Sequence, residues 1–91
     1  DPLRELVHRG SSPQARIHAL WSLDGLQQLK PDDVRTGLAD RNPRVREHAV
    51  QLAERFASDG AMVPALAALT HDPDLRVKWQ LAFTLGEFRG S

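Results

Sequence analysis

The sequence predicts an all-α protein, an α-solenoid of three helix hairpins that contains six helices. The first observation is a small polar residue followed by proline, which recurs at 30-residue intervals as Ser12-Pro13, Asn42-Pro43 and Asp72-Pro73. The second is that apolar residues follow each dipeptide at spacings of three and four, the period of a helix with one buried face. The third is that no stretch alternates apolar and polar residues in the manner of a strand.

Each dipeptide is a helix-start signal. Ser, Asn and Asp are favoured N-caps because their side-chain oxygens accept hydrogen bonds from the unpaired N–H groups of the first turn. Proline suits the first helical position, whose N–H has no partner within the helix. Gly10 is expected to end the first helix in the left-handed conformation. The six predicted helices span residues 2–9, 13–26, 31–39, 43–56, 61–70 and 74–89.

The repeat register follows from the apolar positions of the three longer helices. Aligning these positions gives steps of 30 and 32 residues, whereas the dipeptides give 30 and 30. We take the apolar alignment as the register, because packing determines how hairpins stack. The repeats then span about 1–29, 30–59 and 60–91 of a single domain. The middle repeat has neighbours on both sides, so the most buried residues are expected to be Val45, Ala49, Leu52 and Ala53.

Composition narrows the function classes. The 91 residues suffice for one small domain, and 12 basic residues balance 12 acidic ones, so no net field favours nucleic acid or an anionic membrane. The absence of cysteine excludes disulfides, thiol nucleophiles and cysteine-type zinc sites. The longest apolar run, Ala65–Leu69, is too short for a membrane span. The first residue is not Met, which favours a segment excised from a longer chain.

The middle repeat carries a recognisable motif. From Asp40 to Ala49 an acidic turn residue is followed by proline, Val-Arg and Ala, and residues 72–86 repeat the pattern. This resembles the HEAT repeat, and the short period is similar to the compact repeats named after phycobilisome lyases. Ala19–Leu23 also looks like HEAT segments of large multidomain bacterial proteins that contain c-type haem domains. That likeness implies a periplasmic location if it holds and leaves a cytoplasmic one open otherwise.

The HEAT resemblance implies a structural ladder and a binding face. The turn residues Asp40 and Asp72 would pair sideways with Arg16, Arg46 or Lys78. Second helices of such hairpins line the concave side, so their non-core residues form the candidate partner-binding face. By position these residues form three columns: Ile17, Glu47 and Trp79; His18, His48 and Gln80; Trp21, Gln51 and Phe83.

The aromatic residues of this face carry the functional hypothesis. Tryptophan is enriched in interface hot spots, and Trp21, Trp79 and Phe83 lie where the core does not need them. The sequence therefore favours a non-catalytic scaffold that binds another protein or a neighbouring domain of its parent chain. An alternative is that the aromatic residues pack between helices of a passive spacer.

Metal binding and nucleic-acid binding are weaker alternatives. Metal ligands must lie about 2 Å from the ion, whereas neighbouring helices lie about 8–10 Å apart, so His18 and His48 are expected to face solvent. No cofactor is predicted. A basic cluster could serve a nucleic-acid-handling arm, but acidic neighbours oppose it; its members are Arg41, Arg44, Arg46 and Arg55.

The two ends of the stack are expected to expose apolar residues. The first helix offers Leu3, Leu6 and Val7, and the last offers Leu81, Leu85 and Phe88. A solenoid without polar capping surfaces tends to associate through its ends. The sequence therefore predicts self-association of the fragment, end to end or as a two-fold pair.

Overall fold

Six α-helices lie within residues 2–90 of the chain. The computed structural model describes these residues, with side chains through residue 87. The helices are α1 (Pro2–Arg9), α2 (Pro13–Gly25), α3 (Pro31–Leu38), α4 (Pro43–Leu52), α5 (Met62–Ala67) and α6 (Leu75–Gly90). A 3₁₀ segment, Ala53–Phe56, continues α4. Residues 2–90 contain no strand, so the predicted all-α class and its six helices are confirmed.

Two helices differ in length from the prediction. The predicted helix 43–56 is α-helical only through Leu52 and then tightens into the 3₁₀ segment. The predicted helix 61–70 shrinks to the six residues of α5. Ala61, which precedes α5, offers no capping side chain, and the chain after Ala67 runs through turns.

The first two predicted caps are confirmed. Ser12 Oγ accepts a hydrogen bond from the Ala15 N–H at 3.1 Å, and Asn42 Oδ1 accepts one from the Arg44 N–H at 2.8 Å. Proline occupies the start of α2 and of α4, as expected. These local bonds satisfy donors that the helix itself leaves unpaired.

The third predicted cap is wrong. Asp74, not Asp72, caps α6, because its Oδ1 accepts from the N–H groups of Arg76 and Val77 at 2.9 and 3.1 Å. Asp72 instead accepts from the Asp74 N–H at 2.9 Å within the preceding turn. The true caps therefore stand 30 and 32 residues apart, which agrees with the apolar register.

The left-handed residue occurs at Gln27 rather than at Gly10. Among the described residues no glycine has a positive φ, whereas Gln27 has φ 58°. The N–H of Gln28 donates to the Leu23 carbonyl at 2.9 Å, which closes the end of α2 in a Schellman-type turn. Gly10 is required for space instead, because a Cβ there would lie 2.6 Å from the carbonyl oxygen of Leu6.

The helices contact one another within the first two predicted hairpins and between neighbouring hairpins. α1 contacts α2, and α3 contacts α4. In addition α1, α3 and α5 follow one another in contact, as do α2, α4 and α6. This order places the predicted candidate residues of α2, α4 and α6 on three neighbouring helices.

The predicted central core is buried, but it is not distinct from the rest. Its members are 0–1% exposed: Val45, Ala49, Leu52 and Ala53. Leu20 in α2 and Val77 in α6 are also 0% exposed, so the outer units bury their apolar residues as fully as the middle one does. The prediction of burial is confirmed, and the prediction of a most-buried middle unit is wrong.

The predicted apolar ends are only partly exposed. Leu6 is 40% exposed, as expected, but Val7 and Leu81 are buried in the core at 2% and 5%. They are buried because α1 packs on α2 and α3, and α6 packs on α4. Leu3 and Leu85 are half-buried, and the side chain of Phe88 lies outside the described residues.

Candidate partner-binding face

The structure brings the nine predicted face residues onto α2, α4 and α6 with unequal exposure. Trp79 and Phe83 are 67% and 65% exposed, and His18 is also exposed. The remaining six are half-buried: Ile17, Trp21, Glu47, His48, Gln51 and Gln80. We call Trp21, Gln51, Trp79, Gln80 and Phe83 the aromatic face.

Trp21 is anchored to α4 rather than free. Its Nε1–H donates to Nδ1 of His48 at 2.9 Å. The two rings meet edge to face, with centroids 6.0 Å apart and an interplanar angle of 89°. His48 is therefore an acceptor that orients the indole, which corrects the prediction that it faces solvent. Nδ1 must be unprotonated to accept this bond.

Polar contacts between the helices join residues that are offset by one helical turn from the predicted columns. Gln51 Nε2 donates to Gln80 Oε1 at 3.0 Å, just as Trp21 donates to a residue one turn earlier on the next helix. Gln80 Nε2 donates to Thr84 Oγ1 at 3.1 Å, and Thr84 donates to Glu54 Oε2 at 2.9 Å. This series of hydrogen bonds fixes the spacing between α6 and the segment formed by α4 and the 3₁₀ turn that follows it.

Two shallow depressions flank the exposed aromatic residues. One, of about 340 Å³, is lined by Trp21, Gln51, Glu54, Arg55, Gln80 and Phe83. The other, of about 430 Å³, is lined by Glu47, Arg76, Trp79, Gln80 and Phe83. Gln80 and Phe83 border both depressions, so the two form one continuous uneven surface.

A charged network closes the edge of this surface. Arg44 pairs with Glu47 one turn along α4 and with Asp74 at the start of α6. The hydrogen bond between Arg44 and Asp74 raises the pKa of Arg44 and lowers that of Asp74. Arg76 reaches Glu47 at 3.4 Å. These groups are charged, but they neutralise one another.

The predicted ladder joins successive turns on another side of the molecule. Arg16 Nε and Nη2 donate to the two carboxylate oxygens of Asp40 at 2.7 and 3.1 Å. Arg46 donates in the same way to Asp72 at 2.6 and 3.1 Å. We call these two pairs the turn ladder. They confirm the predicted partners of both aspartates.

Each rung of the turn ladder also ties an arginine to its own turn. Arg16 Nη1 donates to the Gly10 carbonyl at 2.7 Å, and Arg46 Nη1 donates to the Asp40 carbonyl at 2.9 Å. Burial alone would raise the pKa of Asp72, but hydrogen bonds from Arg46 and the backbone outweigh it and lower that pKa. In each rung all three guanidinium nitrogens and both carboxylate oxygens thus form hydrogen bonds, as expected of a structural element.

No protein-family model, curated protein or solved structure matches the chain.

The predicted basic cluster does not form a free basic surface. Arg44 pairs with Glu47 and Asp74, and Arg46 belongs to the turn ladder. Arg55 donates to both carboxylate oxygens of Asp24, a hydrogen bond that raises the pKa of Arg55. The fourth member, Arg41, is exposed.

Sequence reasoning missed a buried carboxylate between α1 and α3. Asp33 is 1% exposed and accepts from Arg4 Nε at 3.1 Å and from the Lys30 N–H at 3.0 Å, with His8 Nε2 at 3.4 Å. An acidic residue three positions after a helix start is a local signal for the Lys30 bond. Nothing local signals Arg4, which lies 29 residues away.

Metal sites and membrane-spanning helices are both absent from the part of the chain that the structure describes. No group of three or more His, Asp or Glu side chains there could hold a metal ion. No helix there is long and apolar enough to cross a bilayer.

Proposed function

We propose that this chain is a segment of a HEAT-like α-solenoid that acts as a non-catalytic scaffold. The order of helix contacts and the turn ladder, which repeats from one unit to the next, support the repeat arrangement. The aromatic face would bind another protein or a neighbouring domain of the parent chain. The solenoid arrangement and the binding role both go beyond the all-α fold described above.

The exposure of Trp79 and Phe83 carries the proposal. They lie four residues apart on α6, hence on the same side of the helix, and each exposes about two thirds of its surface. Large aromatic side chains contribute contact area at a small loss of conformational freedom. The neighbouring amides of Gln51 and Gln80 add donors and acceptors at the rim.

The competing hypotheses receive less support. A passive spacer would bury the aromatic residues of this face, whereas Trp79 and Phe83 are exposed and only Trp21 among these three is partly buried. A nucleic-acid-binding arm would need a continuous basic groove, and three of the four arginines proposed for it are held by carboxylates. Arg44, Arg55 and Asp72, whose pKa values are shifted, form ion pairs between different parts of the fold. These pairs favour a structural role for the three groups over a catalytic one.

The test compares partner capture by matched variants. The wild-type chain, a Trp79→Ala/Phe83→Ala variant and a Leu6→Ala/Val63→Ala variant are used as baits in an extract of the source cells. The control removes two other exposed apolar side chains, on α1 and α5. We expect a partner that wild type and control retain and the face variant loses. With the purified partner, the face variant should weaken Kd by about 30-fold or more, since a hot-spot pair contributes about 2 kcal/mol or more.

Equal capture of every specific partner by the face variant and by wild type would refute the proposal. Equal losses in both double variants would also count against it, because they would show that exposed apolar area in general, rather than the aromatic face, holds the partner.

A further inference from the structure

Equivalent stripes on α2, α4 and α6 differ in one respect. In the apolar register the stripe consists of Arg16, Leu20 and Leu23 on α2, of Arg46, Val50 and Ala53 on α4, and of Lys78, Ala82 and Leu85 on α6. The stripes of α2 and α4 are covered, with all four apolar members 0% exposed. On α6, Lys78 and Ala82 are exposed and Leu85 is half-buried.

The covered stripes show what chemistry fits against such a stripe. Leu20 lies against α3 of the next unit, where its Cδ1 is 3.3 Å from the position of a Cβ on Gly37. Arg16 binds the turn aspartate of that unit, Asp40, and Arg46 binds Asp72 in the same way. In both cases the second helix of the next unit packs beside the stripe, α4 on α2 and α6 on α4, and the turn that precedes this helix supplies the carboxylate.

We propose that the α6 stripe is a docking surface for a further helix hairpin whose connecting turn carries an aspartate. Lys78 occupies the position of Arg16 and Arg46, and it forms no ion pair with any side chain through residue 87. The adjoining Leu75 on α6 is 58% exposed. A cation beside uncovered apolar surface complements an acidic turn beside an apolar helix.

A second copy of this chain stacked end to end fits the stripe poorly. The first turn of the chain carries Gly10 where the later turns carry Asp40 and Asp72, so a copy stacked end to end would present no carboxylate to Lys78. The surface therefore favours a different hairpin over end-to-end self-association. This inference rests on the proposed repeat arrangement but not on the aromatic face.

The chain's own middle hairpin provides the probe. In an extended chain, a second copy of residues 26–59 follows residue 87, which keeps the register because residues 25, 55 and 87 are equivalent. The copied Asp40 then stands opposite Lys78. A double-mutant cycle combines Lys78→Gln with Asn at the copied Asp40, and the free energy of unfolding is measured by denaturant titration.

We expect the extended chain to unfold at a higher temperature than the 91-residue chain. The two positions should couple by about three- to ten-fold in the unfolding equilibrium constant. Lys78→Arg should increase the coupling, since a guanidinium binds a carboxylate through two bonds. Arg9→Gln, which removes another exposed cation, should show no coupling to the copied aspartate. The Trp79→Ala/Phe83→Ala variant should leave the coupling unchanged, which separates this inference from the proposed binding function.

Two results would overturn the inference. One is a folded extra hairpin without coupling between Lys78 and the copied Asp40. The other is an extra hairpin whose amides exchange as fast as those of an unfolded segment.

Discussion

The turn ladder and the aromatic face use their polar groups differently. In the ladder each arginine makes three donated bonds, and the side chains of Asp40 and Asp72 are only 9% and 3% exposed. On the aromatic face the polar groups are the amides of Gln51 and Gln80 and the indole N–H of Trp21, which position helices, while Trp79 and Phe83 are mostly exposed to solvent.

The difference indicates that charge density is a poor guide to the proposed binding surface. Most of the protein's arginines form ion pairs with carboxylates of neighbouring units, and these pairs hold the units together. We call the core and these ion pairs the frame. The apolar side chains that the frame leaves uncovered mark where a partner can gain energy. Stability should therefore depend on the core and the ladder, and the proposed partner binding on α6.

The largest expected effect comes from the core that both regions share. Ala49 is 0% exposed and faces Gly37 so closely that a Cβ on Gly37 would lie 2.8 Å from the Cβ of Ala49. Ala49→Asp would bury an unpaired carboxylate at a cost of several kcal/mol and should unfold the domain. Circular dichroism melting checks this against Ala82→Asp, at an exposed helical position. A melting temperature within a couple of degrees of wild type would contradict the assigned core.

The second-largest expected effect is the loss of stability when one ion pair of the turn ladder is broken. Asp72→Ala leaves Arg46 partly buried without its counterion and should cost about 3 kcal/mol. Asp32→Ala, whose carboxylate pairs with Arg35 while 80% exposed, should cost about 1 kcal/mol or less. Denaturant titration of both variants measures the difference, and equal losses would show that the ladder is no stronger than a surface pair.

The same aspartate makes a prediction about acid. Because the pKa of Asp72 is lowered in the folded state, the unfolded state binds its proton more readily. Its contribution to stability is present above the ordinary aspartate pKa of about 3.9 and is lost as the pH falls through the lower folded value. Asp72→Asn should flatten this acid limb of the stability curve. An unchanged limb would contradict the lowered pKa.

Much of the fold was predictable because its signals are local. Ser12 and Asn42 are caps that act within three residues, and the helical period needs only one helix to be recognised. The error at Asp72 arose because a turn aspartate followed by proline has the composition of a cap. Only the apolar register, which reflects packing, pointed to Asp74.

The site was less predictable because its contacts join different helices. The sequence placed Trp21 and His48 on one face, but their hydrogen bond depends on a one-turn offset between α2 and α4. The pairing of Asp33 with Arg4 is likewise non-local. The ladder partners were foreseen only through the HEAT resemblance.

A smaller effect concerns a residue outside both regions. Gln27 holds a left-handed conformation that costs a side-chain-bearing residue about 1 kcal/mol relative to glycine. Gln27→Gly should therefore stabilise the domain by about 0.5–1 kcal/mol, measured by denaturant titration, while leaving partner capture unchanged. Gln28→Gly, at the next residue, is the control and should give no gain. A loss of stability in Gln27→Gly would contradict the assigned end of α2.

The core and the turn ladder should hold the fold together without the aromatic face, and the free energy of unfolding of Trp79→Ala/Phe83→Ala tests this most directly. Both side chains are about two thirds exposed, so we expect a change within about 0.5 kcal/mol of wild type, beside the loss of about 3 kcal/mol for Asp72→Ala. A loss as large as that of the ladder variant would show that the aromatic residues hold the fold together, and it would contradict their assignment to a partner.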